Sequence, residues 1–291
     1  MNAFTIKDLE NLSGIKAHTI RMWEQRYNFL KPQRSCTNIR YYSNDELKTI
    51  LNIALLNKHG FKISHIDRMQ PDEICARILE LKDAEAMQER VINELVRDMV
   101  ELQTDRFEQS LDHYIQRHGI DLAVRQIIFP FLEKIGILWQ TGHIMPAQEH
   151  FVSNLIRQKL IVAIDRLPAP VEGKRCVLYL PEREYHEMGL LFLSYMLKAQ
   201  GARTIYLGAN VPMNDVQNII ENMHPQLGFI HLTSTCPNFN FDKLLRDLEI
   251  KAAGVTTYVS GFPVRYHTKP VPANVKLIHS FAEMAELVQS I

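Results

Sequence analysis

Three short stretches of this sequence carry residue types able to do chemistry. In Glu184-Tyr185-His186-Glu187-Met188-Gly189 a carboxylate stands two residues before an imidazole, and a glycine three residues after it. Neutral imidazole is a good transition-metal ligand, and a carboxylate on its other nitrogen fixes the tautomer and raises the basicity. Trp139 is followed by nine residues and then by Glu149-His150. If Trp139 ends one helix and Pro146 opens the next, all three side chains reach the same end of a helical hairpin and could face one ligand. The third stretch is cationic: Lys16, Thr19, Arg21 and Arg26 precede Arg40-Tyr41. Arginine offers phosphate or guanine a fixed fork of donors, and each phosphate neutralised releases counterions. Cys36, Cys75, Cys176 and Cys236 contain no Cys-x-x-Cys pair, so they read as reduced packing residues and not as a zinc ribbon or disulfide framework.

Composition bounds what can hold these groups. The 291 residues, 46% hydrophobic and 23% charged, exclude wholesale disorder. At roughly 100 to 200 residues per domain they suit two or three compact domains. Apolar runs at 127–132 and 190–193 are broken well short of the roughly 20 residues that a membrane span needs, and residues 1–10 lack a signal pattern. A cytoplasmic protein is expected. Residues 1–70 hold eleven Lys/Arg against six Asp/Glu, net +5, which leaves −5 for the remainder of a chain of zero net charge. A basic head on an acidic body suggests that the head meets a polyanion.

Spacing then assigns elements. Residues 5–12 place Ile6, Leu9 and Leu12 on one side of a short helix ended by Ser13-Gly14, and residues 16–29 form a second helix with Ile20, Trp23 and Tyr27 inward and the arginines outward. A polar stretch at 33–38 leads to the extended run 39–42, which reads as a wing. Ser43 and Glu46 form a capping box for a helix over 45–56, and 63–69 is a further short helix. Trp23 belongs to the head's core, and Tyr42 either to the core or to the wing surface. From 72 to 167 apolar residues recur at helical spacing, with turns at Gly119, Gly136, Gly142 and Pro146, which predicts a four-helix bundle. Beyond Pro168, Pro170 and Gly173 the runs 176–180, 204–207, 229–232, 256–259 and 275–278 alternate with helical stretches such as 190–199 and 216–223. That alternation predicts a doubly wound parallel sheet of flavodoxin-like type. The fold class is thus multidomain α and α/β, divided at 1–71, 72–168 and 173–291.

Over roughly its first 70 residues the chain resembles the MerR family of winged-helix regulators, in Thr19-Ile20-Arg21-Met22-Trp23-Glu24, Leu30-Lys31-Pro32 and Arg40-Tyr41-Tyr42-Ser43. The resemblance implies double-stranded DNA bound by a dimer, the helix over 16–27 in the major groove and the wing on the flanking backbone. The contacts then fall to Lys16, Thr19, Arg21, Arg26, Arg40 and Tyr41. Glu184-x-His186-x-x-Gly189 is similar to the Asp-x-His-x-x-Gly signature of cobalamin-binding domains. This implies that His186 is the metal ligand beneath cobalt, supported by Glu184, with Gly189 permitting close approach. That family's Ser-x-Leu and Gly-Gly segments, which leave a slot for the detached nucleotide tail, correspond to Thr233-Ser234-Thr235 and Ser260-Gly261.

The pattern Trp139-x9-Glu149-His150 resembles the light-sensing cobalamin regulators of the CarH/LitR-like family. There the bundle covers the upper face of the cofactor, the tryptophan over the adenosyl group and the Glu-His pair lining the pocket. Members that trap illuminated cobalt with a second histidine often carry it directly after the tryptophan; here Gln140 holds that place, with His143 three residues on. Taken together these resemblances imply a transcriptional regulator, not an enzyme, acting as a homo-oligomer (dimer or tetramer). Its assembly and DNA binding would be controlled by cobalamin, adenosylcobalamin foremost. Two alternatives stand beside it: a MerR-type regulator whose carboxy-terminal domains bind a partner protein without cobalamin, and a corrinoid-dependent enzyme subunit.

Overall fold

The computed structural model describes residues 4–34, 38–81, 83–140, 144–233 and 239–291, with the backbone alone for 137–140. It divides into two compact units, Met1–Ile156 and Arg157–Ile291.

The first unit opens with α1 (Ile6–Ser13), closed at both ends by local chemistry: Thr5 and Asp8 form a capping box, and Gly14 takes the left-handed conformation at φ 74°. Helix α2 (Ala17–Arg26) is three residues shorter at its end than the spacing predicts. Tyr27 turns extended there, and its ring stacks on Phe29 at 5.7 Å, so the aromatic pair takes the place of a further helical turn. The wing is an antiparallel pair, β1 (Gln33–Arg34) with β2 (Arg40–Tyr41), and Tyr42 continues it by bridging to Phe4. Ser43 and Glu46 cap α3 (Asn44–Lys58) as expected, and α4 (Ile63–Ile66) follows. Phe4, Leu9, Ile20, Trp23, Leu30, Tyr42, Leu47 and Ile50 make the core of this head.

Five further helices complete the first unit and lead out of it: α5 (Pro71–Glu80), α6 (Ala84–Val100), α7 (Thr104–Ala123), α8 (Phe129–Gln140) and α9 (Pro146–Arg166). Gly119 breaks α7 at φ 81°, ψ 161°, and a π-helical segment, Val124–Ile128, carries the chain into α8. Gly136 makes no turn. It lies inside α8, because burial of Phe131 and Ile135 around it outweighs the roughly 1 kcal/mol that a glycine costs a helix. Gly142 lies outside the described residues. Phe107 joins the helices, with its ring 5.5 Å from both Phe131 and Phe151. Head and bundle form one body: α1 packs on α8 and α3 on α6. At this junction Lys58 Nζ sits 2.7 Å from Glu85 and 2.8 Å from Glu89, whose carboxylates push the ammonium up to about 12.

The second unit takes the last turns of α9, which Lys198 fastens by donating to the Ile164 carbonyl at 2.9 Å. Its sheet is parallel throughout, in the order β4-β3-β5-β6-β7, formed by β3 (Arg175–Pro181), β4 (Arg203–Val211), β5 (Leu227–Leu232), β6 (Thr256–Gly261) and β7 (Val275–Ile278). Helices α10 (Met188–Ala199), α11 (Met213–Met223), α12 (Phe241–Lys251) and α13 (Phe281–Gln289) alternate with these strands. From β3 the chain moves to one side to make β4 and to the other to make β5. The reversal opens a crevice beyond the carboxyl ends of β3 and β5, the place where such sheets meet ligands. This is the flavodoxin-like arrangement predicted from the alternating runs.

Candidate functional site

Helix α2 presents its cations as the spacing predicts. Ile20 and Trp23 are buried, whereas Lys16, Arg21 and Arg26 are exposed and Thr19 is half-buried. Lys16 stands 3.5 Å from Glu10. His18 and Gln25 lie on the same exposed surface and were missed by counting charges; their spacing from Arg21, three and four residues, was the available signal. Arg34 of β1 is a further exposed cation, donating to Asn38 Oδ1 at 2.7 Å.

The wing is tied to the helix. Arg40 Nε donates to Glu24 Oε2 at 2.8 Å, and the hydroxyl of buried Tyr42 donates to the other oxygen of the same carboxylate. Burial, followed by the neighbouring Glu24 charge, pushes the Tyr42 phenol upward, so it remains a donor. Tyr41 is half-buried on the same strand. Glu24, an acid inside an otherwise cationic helix, is therefore the brace between α2 and the wing. Tyr42 belongs to the core.

Beyond β3 the chain folds into a tight loop around Glu184. Arg183 takes φ 70°, its amide donates to Asn210 Oδ1 at 2.8 Å, and the Asn210 amide returns to the Glu184 carbonyl at 3.0 Å. Glu184 is 2% exposed. Its Oε1 accepts the His186 amide at 2.8 Å and lies 2.7 Å from His186 Nδ1. Burial pushes this carboxyl upward, but hydrogen bonds from the His186 ring and amide and from Tyr185 outweigh it and hold it below the usual value. An ionised carboxylate only accepts, so Nδ1 carries the proton and Nε2 is the ring atom that would meet a metal. Thr233 Oγ1 donates to the His186 carbonyl at 3.2 Å, which joins the end of β5 to the loop.

The other small residues serve a neighbour. Ser260 Oγ lies 2.9 Å from His231 Nδ1 across the β5–β6 register, and a Cβ on Gly189 would fall 2.3 Å from the His231 ring. Gly189 thus admits an imidazole to the sheet face beneath α10. Burial pushes that imidazole downward, toward the neutral form. His231 escaped the sequence reading although its signal was there: a polar residue inside the apolar run Leu227–Leu232. Gly261 adopts φ 105°, and a Cβ there would strike the Leu232 carbonyl oxygen at 2.1 Å, so only glycine fits. Ser234 lies outside the described residues.

In the first unit Glu149 and His150 open α9, with Glu149 Oε2 3.6 Å from His150 Nε2. The residue before them, Gln148, was missed and is wholly buried. Its Nε2 donates to the Val100 carbonyl at 3.0 Å and its Oε1 accepts the Met145 amide at 2.9 Å, which pins the start of α9 to the end of α6. Trp139 is in the last turn of α8; its side chain and that of Gln140, like all of His143, lie outside the described residues. Among the described residues no three His, Cys, Asp or Glu side chains converge on one point.

Residues 4–73 match the MerR HTH family regulatory protein model and residues 91–163 the B12 binding domain model. Two Myxococcus xanthus proteins are similar along nearly their whole length. The HTH-type transcriptional repressor CarA is 29% identical over 269 residues, covering 91% of this chain and 89% of CarA. The HTH-type transcriptional repressor CarH is 27% identical over 271 residues, covering 91% of this chain and 90% of CarH. The monomethylamine corrinoid protein of Methanosarcina barkeri, at 15% identity and a TM-score of 0.55, shares the fold over 70% of this chain and 99% of its own.

Proposed function

We propose that this chain, a CarH-like regulator that joins a MerR-type head to a B12-binding region, is a transcriptional repressor whose grip on DNA is set by cobalamin. The observation that carries this reading is the Glu184–His186 pair at the carboxyl edge of the sheet, in a chain that also exposes a cationic helix. One imidazole, oriented by a buried carboxylate, suits a metal whose macrocycle already supplies its equatorial nitrogens. His186 would bind the metal and Glu184 would hold its tautomer. Thr233, Ser260 and Gly261 would line the crevice beside it, and the family resemblance assigns Ser234, Trp139, Glu149 and His150 to the same cofactor. The bound cofactor supplies a cobalt centre and, in the adenosyl form, a light-labile cobalt–carbon bond.

DNA would be met by Arg21 and Arg26 on α2, with Lys16 and Thr19 beside them, and by the wing around Arg40 and Tyr41. In this reading the chain is a cytoplasmic homo-oligomer without catalytic activity. Among the described residues no helix is long and apolar enough to cross a membrane. Cofactor binding would favour one arrangement of protomers and cofactor loss another, changing the number and spacing of heads offered to the duplex.

The test mixes purified apoprotein with adenosylcobalamin in the dark, followed by gel filtration with absorbance and molar-mass detection. Co-elution with a base-off, histidine-on spectrum and a change in mass between dark and illuminated samples is expected. Protein that elutes without chromophore overturns the reading.

A further inference from the structure

The residue after His186 has a carboxylate with two partners of its own. Glu187 occupies the N-cap position of α10, its side chain turned away from the helix amides and 11% exposed. One oxygen accepts the Tyr206 hydroxyl of β4 at 2.8 Å, and the other meets the Arg157 guanidinium of α9 at 2.5 Å. Burial, followed by the Glu187 carboxylate, pushes the Tyr206 phenol well above its ordinary value, so it stays a donor. His186 is therefore bracketed. On its amino side Asn210 holds Arg183 and Glu184 by backbone hydrogen bonds. On its carboxyl side Glu187 is tied to strand β4 and to helix α9.

We infer that Glu187 is a positioning residue for His186, and that Arg157 acts through it to make the ligand loop responsive to helix α9. This rests on the cobalamin reading and goes beyond it, because it assigns the coupling between sensor loop and helix to a named ion pair. Glu184 fixes the rotation of the imidazole; Glu187 fixes where its Cα stands. A ligand displaced by about 1 Å loses coordination that second-sphere contacts otherwise secure, and their loss typically costs 10- to 100-fold in metal affinity. The Arg157 end of the clasp is half exposed, so salt should weaken it, whereas the enclosed Tyr206 end should hold.

The experiment compares full-length Glu187→Ala, Glu187→Gln and Arg157→Met proteins by titration with adenosylcobalamin in the dark. Glu187→Ala is expected to bind about 10-fold more weakly and with a partly histidine-off spectrum. Glu187→Gln, which keeps an acceptor for Tyr206, should restore the spectrum. Arg157→Met should cost about 2- to 3-fold, a loss that wild type reproduces in 1 M salt. A Glu187→Ala protein with unchanged spectrum and affinity overturns the inference. If that variant does not fold, Arg157→Met decides, and an unaltered affinity and salt dependence overturns it. If wild type binds no corrinoid, the cobalamin reading falls separately, and long-range proton–nitrogen spectra of the His186 ring in apoprotein decide the clasp. A single Nδ1–H tautomer that averages in Glu187→Ala supports it; an identical ring signature in both proteins overturns it.

Discussion

The outer surface of α2 and the His186 loop are built by opposite means. On α2 the side chains proposed to meet DNA stand where helical periodicity puts them, and inward Ile20 and Trp23 fix the rotation of the helix. The loop has no period to obey. It is held by residues far along the chain: Asn210, 27 positions from Arg183, Thr233, 47 positions from His186, and Tyr206, 19 positions from Glu187. A helix-borne surface is thus robust to the loss of one contact, whereas the loop that carries His186 depends on each of its ties. The helix suits a lattice of similar phosphates, and the loop suits one metal at one point.

Substitutions can break this contrast, beginning with the largest effect. His186→Ala should reduce corrinoid affinity by about 100-fold and abolish the histidine-on spectrum, while DNA binding by the apoprotein stays as in wild type. Retained spectrum would remove His186 from the metal. Glu24→Ala orphans the buried Tyr42 hydroxyl and releases Arg40, so the head should lose about 2 kcal/mol of stability by denaturant melting. A loss confined to DNA affinity would instead make Arg40 a phosphate contact. Arg21→Ala should weaken operator binding by about 10-fold and lower the slope of log affinity against log salt by about one, with the melting temperature unchanged.

The smallest effect belongs to His231. Burial holds its folded-state value below that of the unfolded chain, so the unfolded state takes up the proton first as pH falls below about 6.5. The stability lost on acidification is complete only below the folded value. His231→Gln should therefore narrow the melting-temperature difference between pH 7.5 and 5.5, by no more than about 2 °C. A wider difference would contradict an imidazole held toward its neutral form.

Much of the architecture was legible because its signals are local. The five sheet strands announce themselves as apolar runs, and Ser43 with Glu46 marks the start of α3. The same device at Thr5 and Asp8 is harder to read, since a shorter carboxylate closes the box. The first wing strand, Gln33–Arg34, has two exposed polar residues and no pattern. Gly136 reads as a turn only when its buried neighbours are ignored. At the site, the Glu184–His186 spacing was visible and its supports were not: Asn210 and Tyr206 come from β4 and Arg157 from α9. Nothing in a linear spacing shows that Gly189 makes room for His231.

Lys58, paired with Glu85 and Glu89 where α3 meets α6, ties the part that reads the double helix to the helices beside it. Two copies joined through those helices would carry their reading elements as prongs of a fork, and a fork has one gauge. Inserting about five base pairs between half-operators turns one of them to the far side of the duplex and should defeat paired engagement, while about ten restores the facing.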